Sequence, residues 1–237
     1  MYYYEQTRPQ FGFGGRYVTN AVKYLLIANA VVFLLQQLMP RIIIGWFALF
    51  PNLILKKFFV WQLFSYMFLH GDFLHILLNM FILWMFGCEV ERYWGSREFL
   101  KYYVICGIGG ALFHIIIHPG SMTPVIGASG AIYGIMAAFA IFFPDRPIML
   151  FPFFITLKAK HWVLIFLAIT LLFGFTGQQD GVAHFAHLGG MVIGFLYIRF
   201  KGKFVDFGDY IQNKRENRRM MTLAKRKRKL QELRDEV

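Results

Sequence analysis

The sequence is poor in charged residues. Aspartate, glutamate, lysine and arginine make up only 16% of its 237 residues, whereas 57% are hydrophobic. This composition excludes an ordinary soluble domain, which carries about 25% charged residues. We therefore expect a membrane protein.

Cysteine is almost absent, since the chain holds only Cys88 and Cys106. Two cysteines exclude a disulfide-rich scaffold. Both are expected in helices that meet on the cytoplasmic side, where a reducing environment argues against a disulfide. We predict that both are small, buried apolar side chains.

Three common hydrolase signatures are also missing. The chain has no HExxH sequence, which zinc peptidases use, and no pair of aspartates within its apolar segments. Its GASG sequence at 127–130 is followed by Ala131, so it differs from the GxSxG turn of α/β-hydrolases.

Long apolar segments dominate what remains. A spanning helix needs about 20 apolar residues, and lipid requires a backbone that satisfies its own hydrogen bonds. The segments lack the alternation of barrel strands. We predict an all-α, polytopic membrane protein with a six-helix bundle, whose spans lie at 18–38, 62–86, 99–117, 126–143, 161–176 and 183–200.

The distribution of basic residues predicts the orientation. All of the 25 lysines and arginines fall on one side of these spans except Arg41, Lys56 and Lys57. Because cytoplasmic loops are rich in basic residues, both termini are expected in the cytoplasm. The outer segment 39–61 is aromatic and interrupted by prolines, so we expect a first loop that lies in the membrane interface.

Polar side chains within spans are costly and indicate functional sites. The second predicted span holds His70, His75 and Asn79, and the last two share a helical face because they are four residues apart. The fourth and sixth spans each contain two glycines four residues apart, a spacing that lets membrane helices pack closely. The glycines are Gly130 and Gly134 in the fourth span and Gly190 and Gly194 in the sixth. The same two spans hold the polar residues Ser129 and His187.

If those two faces pack together, Ser129 meets a histidine. An imidazole can take the proton of a serine hydroxyl, which makes the oxygen a nucleophile. Ser129 follows Gly127 closely and is expected in the first turn of its helix, where free N–H groups can bind an oxyanion. His184 lies one turn from His187, so spacing alone leaves the identity of the base open.

Each of these features also has a structural interpretation. A single serine in a span more often bonds its own helix, and a glycine pair often means packing only. A histidine in a span can serve an interhelical hydrogen bond, a proton relay or a haem. The combination across three spans is what indicates a site.

In these residues the chain resembles the rhomboid family of intramembrane serine proteases. The GxSG element matches 127–130, and further signals follow the second span at Glu91, Arg92 and Gly95. The HxxxxHxxxN element matches His70, His75 and Asn79, and the HxxGxxxG helix matches His187, Gly190 and Gly194. Each motif is weak alone, but all occur in the family's order.

The resemblance implies a role for each site residue. Ser129 would be the nucleophile and His187 the base, while His75, Asn79 and the Ser129 N–H would form an oxyanion hole. Tyr133 would stack on the catalytic histidine, His70 would shape the outer rim, and Gly127, Gly130, Gly190 and Gly194 would support the site. Gln62 replaces the family's usual arginine after Trp61, which affects the contacts of the first loop.

The resemblance also implies the setting. It divides the chain into a cytoplasmic segment (1–17), a six-span catalytic domain (18–200) and a basic cytoplasmic tail (201–237). A bacterial-type enzyme would lie in the inner membrane, with its site opening to the outer side. It would cut transmembrane protein substrates in the lipid bilayer, without a metal or cofactor.

Two other functions fit the same residues. A catalytically silent relative would bind transmembrane clients without cutting them, and a small transporter would use the histidines. Two predictions stay open for the tail from Lys201. It is either a solvated cytoplasmic end of the chain or an amphipathic helix on the membrane surface. Nucleic-acid binding is not expected, because its few aromatic residues lie outside the basic run.

Overall fold

The computed structural model describes residues 17–150, 155–176 and 183–201. Helices dominate these ranges, which confirms the predicted all-α class. The chain divides into two compact units, residues 1–195 and 196–237. All the contacts given below lie within the first unit.

The first half of the chain consists of helices of very different lengths. They are α1 (Asn20–Leu38), α2 (Pro40–Phe47), α3 (Pro51–Lys57), α4 (Gln62–Ser65), a 3₁₀ turn (Tyr66–Phe68), α5 (Phe73–Ile82), a π-helical turn (Leu83–Gly87) and α6 (Cys88–Trp94). The second half consists of α7 (Ser96–Ile117), α8 (Ser129–Phe142), β1 (Pro147–Leu150), β2 (Ile155–Lys158), α9 (Ala159–Thr176) and α10 (184–201).

Three helices of the described residues are long and apolar enough to cross a membrane. They are Asn20–Leu38, Phe73–Trp94 and Ser96–Ile117, and shorter apolar helices cover Ser129–Phe142 and Ala159–Gly174. Large apolar side chains such as Ile27, Leu34 and Leu77 lie exposed on them, as expected for helices surrounded by lipid. The chain is therefore a polytopic helical membrane protein, while the count of six spans stays a prediction.

The predicted second span, 62–86, has the wrong bounds. The long helix begins at Phe73 and continues through the π-helical turn to Trp94. Asp72 has extended backbone angles, and its side chain accepts a hydrogen bond of 2.8 Å from the His75 N–H, so it caps the helix start. His70 consequently lies in the segment before this helix.

The first loop, predicted at 39–61, contains α2 and α3. Its rings of Trp46, Phe59 and Trp61 stack on one another, with centroids 4.5 to 6.4 Å apart. Between the two helices, Leu49 pairs with Val125 through two backbone hydrogen bonds of 2.9 Å. This pairing attaches the loop to the segment that leads into α8.

A short β-hairpin lies between α8 and α9, where no strand was predicted. Its strands are antiparallel and pair Pro147 with Lys158 and Leu150 with Ile155. Each strand has only four residues, PIML and ITLK, which is too short for periodicity to distinguish a strand from other structure.

Glu91 joins the starts of two helices. Its buried carboxylate accepts hydrogen bonds from Thr19 Oγ1 (2.5 Å) and from the backbone N–H groups of Ala21 (2.8 Å) and Val22 (2.9 Å). It also accepts one from Ser96 Oγ at 2.6 Å. A carboxylate from α6 thus supplies the N-terminal cap of α1, because the first N–H groups of a helix have no partner within it.

The two cysteines are free and buried, as predicted. The predicted cytoplasmic N-terminal segment lies outside the described residues except for Tyr17. The predicted tail is described only at Lys201, and the predictions about its helix fall on residues beyond that. The division into three domains stays a prediction.

Candidate active site

Ser129 is the first residue of α8 and so lies in the first helical turn, where the sequence predicted it. The chain reaches it through Gly127, which has a φ of +125°, a conformation that favours glycine. The Gly127 N–H donates to the Tyr66 carbonyl at 2.9 Å, which fixes this entry to the helix. Ser129 therefore lies where the N–H groups of the first turn have no helical partner.

His187 lies beside this serine. Its Nε2 is 2.6 Å from Ser129 Oγ, although the two residues are 58 positions apart. His187 is only 9% exposed, so this contact is largely shielded from the surroundings. An acceptor at Nε2 requires that the ring proton is on Nδ1.

Glycines allow α8 and α10 to approach this closely. A Cβ added to Gly190 would overlap the Gly130 carbonyl oxygen, and one added to Gly194 would lie 3.1 Å from the Gly134 Cα. The two helices thus touch backbone to backbone, as their sequence spacing predicted. Ser129 and His187 can meet because the residues at this helix contact are glycines, which have no side chain to hold the helices apart.

The structure distinguishes the two histidines of α10 that are candidates for the base. His187 makes the contact with Ser129, whereas the His184 ring stacks on Phe173 with centroids 5.8 Å apart. The His184 and His187 rings are 6.2 Å apart and nearly perpendicular.

Tyr133 stacks on the His187 ring. Their centroids are 4.4 Å apart and their planes differ by 11°, as predicted for the aromatic residue one turn after Ser129. The Tyr133 hydroxyl lies 3.4 Å from Thr170 Oγ1 on α9. Thr170 is a site neighbour that the sequence pattern did not identify, although it is a polar residue in a predicted span.

The His75 ring faces the same space as Ser129. Its Nδ1 accepts a hydrogen bond of 3.3 Å from the Gly71 N–H, so the proton of the neutral ring is on Nε2. A Cβ added to Gly127 would lie 2.9 Å from this Nε2 and 3.5 Å from Ser129 Oγ. Glycine at this position keeps open the space between a donor and the serine.

Asn79 and His70 flank His75 in different ways. Asn79 is buried, and its Nδ2 donates to the His75 carbonyl at 2.8 Å, leaving its second amide hydrogen for another acceptor. His70 is fully buried, and its ring packs edge-on against the His75 ring at a centroid distance of 5.0 Å.

Two polar residues around the site were not expected from the sequence to contribute to it. The Tyr66 hydroxyl donates to the Gly107 carbonyl at 2.8 Å, and the Tyr66 backbone carbonyl accepts from the Gly127 N–H. Gln36 of α1 is buried and bonds the backbone of His70. Gln36 is polar within a predicted span, and that is the signal that could have identified it.

Gln62, which replaces the family's usual arginine, is buried at the start of α4. Its Nε2 donates to the Trp46 carbonyl at 3.3 Å, and its Oε1 accepts from the Phe50 N–H at 3.0 Å. A neutral amide thus connects both ends of the segment between α2 and α3 in this chain.

Comparisons with known proteins identify the family of this chain. The family described as Rhomboid domain matches residues 57–204. Rhomboid protein 1, mitochondrial, from Saccharomyces cerevisiae is 31% identical over 206 residues, covering 84% of this chain and 58% of the yeast protein. RHOMBOID-like protein 1 from Arabidopsis thaliana is 32% identical over 150 residues, covering 63% of this chain and 36% of that protein.

A third relative has a name that states an activity. Rhomboid protease GluP from Bacillus subtilis is 32% identical over 135 residues, covering 57% of this chain and 25% of the protease. The chain spans less than two thirds of the length of each of these three relatives. The family match over more than half of the chain confirms the resemblance seen in its motifs, and the chain belongs to the rhomboid family.

Proposed function

We propose that this chain is an intramembrane serine endopeptidase that hydrolyses peptide bonds in or near the transmembrane segments of other proteins. The observation that carries the proposal is the 2.6 Å contact between Ser129 Oγ and His187 Nε2 at the first turn of α8. A serine hydroxyl is a weak nucleophile unless a base takes its proton, and a neutral imidazole is suited to this role.

In the proposed reaction, His187 Nε2 takes the proton of Ser129 as Oγ attacks the carbonyl carbon of the scissile bond. The carbonyl oxygen becomes an oxyanion. His187 then gives the proton to the leaving amine, and the C–N bond breaks to leave an ester on Ser129. Water, deprotonated by the same imidazole, hydrolyses this ester and restores the serine.

The oxyanion needs donors that are in position before the reaction. Three are available in the proposed site: the Ser129 N–H at the start of α8, the Nε2–H of His75 and the second amide hydrogen of Asn79. Tyr133 would hold the His187 ring in its orientation through the 4.4 Å stack. No acidic residue is assigned to the site, so the catalytic pair is a dyad.

The proposed substrates and location follow from the membrane-embedded helices. A site between α8 and α10 is reached by segments that lie in the bilayer, so transmembrane proteins are the proposed partners. The distribution of basic residues supports cytoplasmic termini and a site that opens to the outer side. The proposed location is a bacterial inner membrane. The yeast relative is named mitochondrial. The orientation predicted from the basic residues can be tested in a bacterial or a mitochondrial membrane.

Serine labelling tests this function. The full chain in native-like membranes is treated with a fluorophosphonate, and the modified peptide is identified by mass spectrometry. We expect the probe to modify Ser129 in the wild-type protein and to leave the Ser129→Ala variant unmodified. The wild-type protein should cleave a transmembrane substrate, and the variant should not. Client binding without labelling would support a silent relative, and proton flux without labelling would support a transporter.

A further inference from the structure

Gln36 is a polar side chain that the proposed reaction does not use. It lies near the end of α1 and is only 3% exposed. A buried amide without hydrogen bonds is costly, so its partners indicate why it is tolerated. Its neighbour Gln37 is exposed and offers a matched comparison.

Gln36 pairs with the backbone of a single residue, His70, in a distant segment. Its Nε2 donates to the His70 carbonyl at 2.6 Å, and its Oε1 accepts from the His70 N–H at 3.1 Å. These two bonds fix the orientation of the amide, because exchange of its nitrogen and oxygen would break both. They also satisfy backbone groups that no helix can satisfy, since α5 begins only at Phe73.

The segment held in this way leads directly to the His75 ring. Gly71 donates to His75 Nδ1 at 3.3 Å, and Asp72 accepts from the His75 N–H at 2.8 Å. The His70 ring packs edge-on against His75 at 5.0 Å. A shift of the His70 peptide would therefore move both the residue that sets the His75 tautomer and the ring that supports it.

We propose that Gln36 is a positioning residue for the oxyanion hole. Resting on the proposed function, this inference says that Gln36 holds the peptide at His70 so that Gly71 keeps the His75 proton on Nε2, which faces Ser129. Gln36 touches neither the substrate nor the reacting atoms, and it acts through His75.

A double-mutant cycle separates this role from a general structural one. Gln36→Met keeps the side-chain volume and removes both hydrogen bonds. Removal of an oxyanion donor costs about 10² to 10³ in kcat, so a misplaced donor should cost about tenfold or more, with KM nearly unchanged. In a His75→Ala background the same substitution should change kcat by less than about twofold, because the two act as one unit.

Gln37→Met is the control and should behave as the wild-type protein in both backgrounds. Equal losses from Gln36→Met with and without His75 would overturn the proposal, and so would a raised KM with unchanged kcat. If Gln36→Met fails to fold, Gln36→Glu keeps the oxygen that accepts from His70 and allows the same comparison.

A spectroscopic measurement is independent of activity. In the full chain carrying Ser129→Ala, ¹⁵N NMR of the His75 ring should show a protonated Nε2, and Gln36→Met should mix the two tautomers. Unchanged ring signals would contradict the positioning role. If the signals change while the wild-type protein cleaves nothing, the proposed function fails and the link between Gln36 and His75 stands.

Discussion

The two ends of α8 are held by different kinds of contact. At its start, Gly130 lies against Gly190 so closely that a methyl group would not fit. Beyond its end, Arg146 pairs with Glu89 at 2.6 Å, and Asp145 pairs with Lys158 at 3.1 Å and with Lys160 at 2.9 Å.

This difference predicts how each end responds to substitution. Backbone contact between helices is directional and leaves no room for adjustment, because protein interiors are closely packed. Ion pairs with exposed partners are individually weak, because water screens them and can replace each partner. Changes at the Ser129 end should therefore abolish or reduce activity, and changes at the Arg146 end should be tolerated.

The largest effect is expected at the dyad. Ser129→Ala and His187→Ala should each abolish cleavage, and the double variant should be no worse than either single one, because base and nucleophile act as a unit. Cleavage of a transmembrane substrate by purified variants measures this, with His184→Ala as the matched control. Near-normal cleavage by Ser129→Ala would show that Ser129 is not the nucleophile and that the start of α8 is not the catalytic end.

A single methyl group should separate α8 from α10. We expect Gly190→Ala to clash with the Gly130 carbonyl, destabilise the fold by about 1 to 3 kcal/mol and strongly reduce cleavage. Thermal unfolding and turnover are the measurements. The control is Gly45→Ala in α2, where an added Cβ meets nothing within 4 Å. Equal behaviour of the two variants would mean that close backbone contact is not what holds the Ser129 end.

Asn79 should matter for turnover more than for binding. Loss of an oxyanion donor costs about 2.7 to 4 kcal/mol in the barrier, so Asn79→Ala should lower kcat with little change in KM. Steady-state kinetics with a transmembrane substrate tests this. A raised KM with unchanged kcat would assign Asn79 to substrate positioning instead.

The smallest effects are expected at the Arg146 end. Arg146→Met should cost about 0.2 to 1 kcal/mol of stability and leave cleavage near normal, as is usual for partly exposed ion pairs. Thermal unfolding at neutral pH tests this, and a loss comparable to that of Gly190→Ala would erase the contrast between the ends.

The pH dependence of Asp145 sharpens the same point. Hydrogen bonds from Lys160 and then Lys158 lower the pKa of Asp145 below its ordinary value of 3.8. A lowered pKa means that the stabilisation is present above pH 3.8 and is lost as the pH falls through the folded-state value. Any difference in melting temperature between wild type and Asp145→Asn should therefore be small at neutral pH and disappear in acid.

The contact between Ser129 and His187 was predictable because its causes are local in the sequence. Glycines four residues apart identify the faces that approach closely, and the cost of polar groups in lipid identifies the side chains that need partners. The start of the second long helix was not predictable in this way. The residues from Phe64 to Leu69 are mostly apolar whether or not they are helical, and the cap at Asp72 is a single hydrogen bond.

Gln36 and the β-hairpin were missed because their partners are backbone groups. The polarity of Gln36 within a predicted span marks it as a candidate. Its partner is the backbone of His70, which every residue type provides, so no side-chain pattern identifies the pairing. The antiparallel strands Pro147–Leu150 and Ile155–Lys158 satisfy each other's backbone groups. They lie between two predicted spans, and four residues are too few for an alternating pattern to identify a strand.

The carboxylate of Glu91 has a consequence for synthesis of the chain. It caps the start of α1 but lies 72 residues after Thr19, the first residue that it binds. At about 5 to 20 residues per second, a ribosome needs about 4 to 14 s to reach Glu91 after Thr19 has been added. During this interval the N-terminal N–H groups of α1 depend on water or lipid headgroups, so the cap of α1 is completed only after α6 has been made.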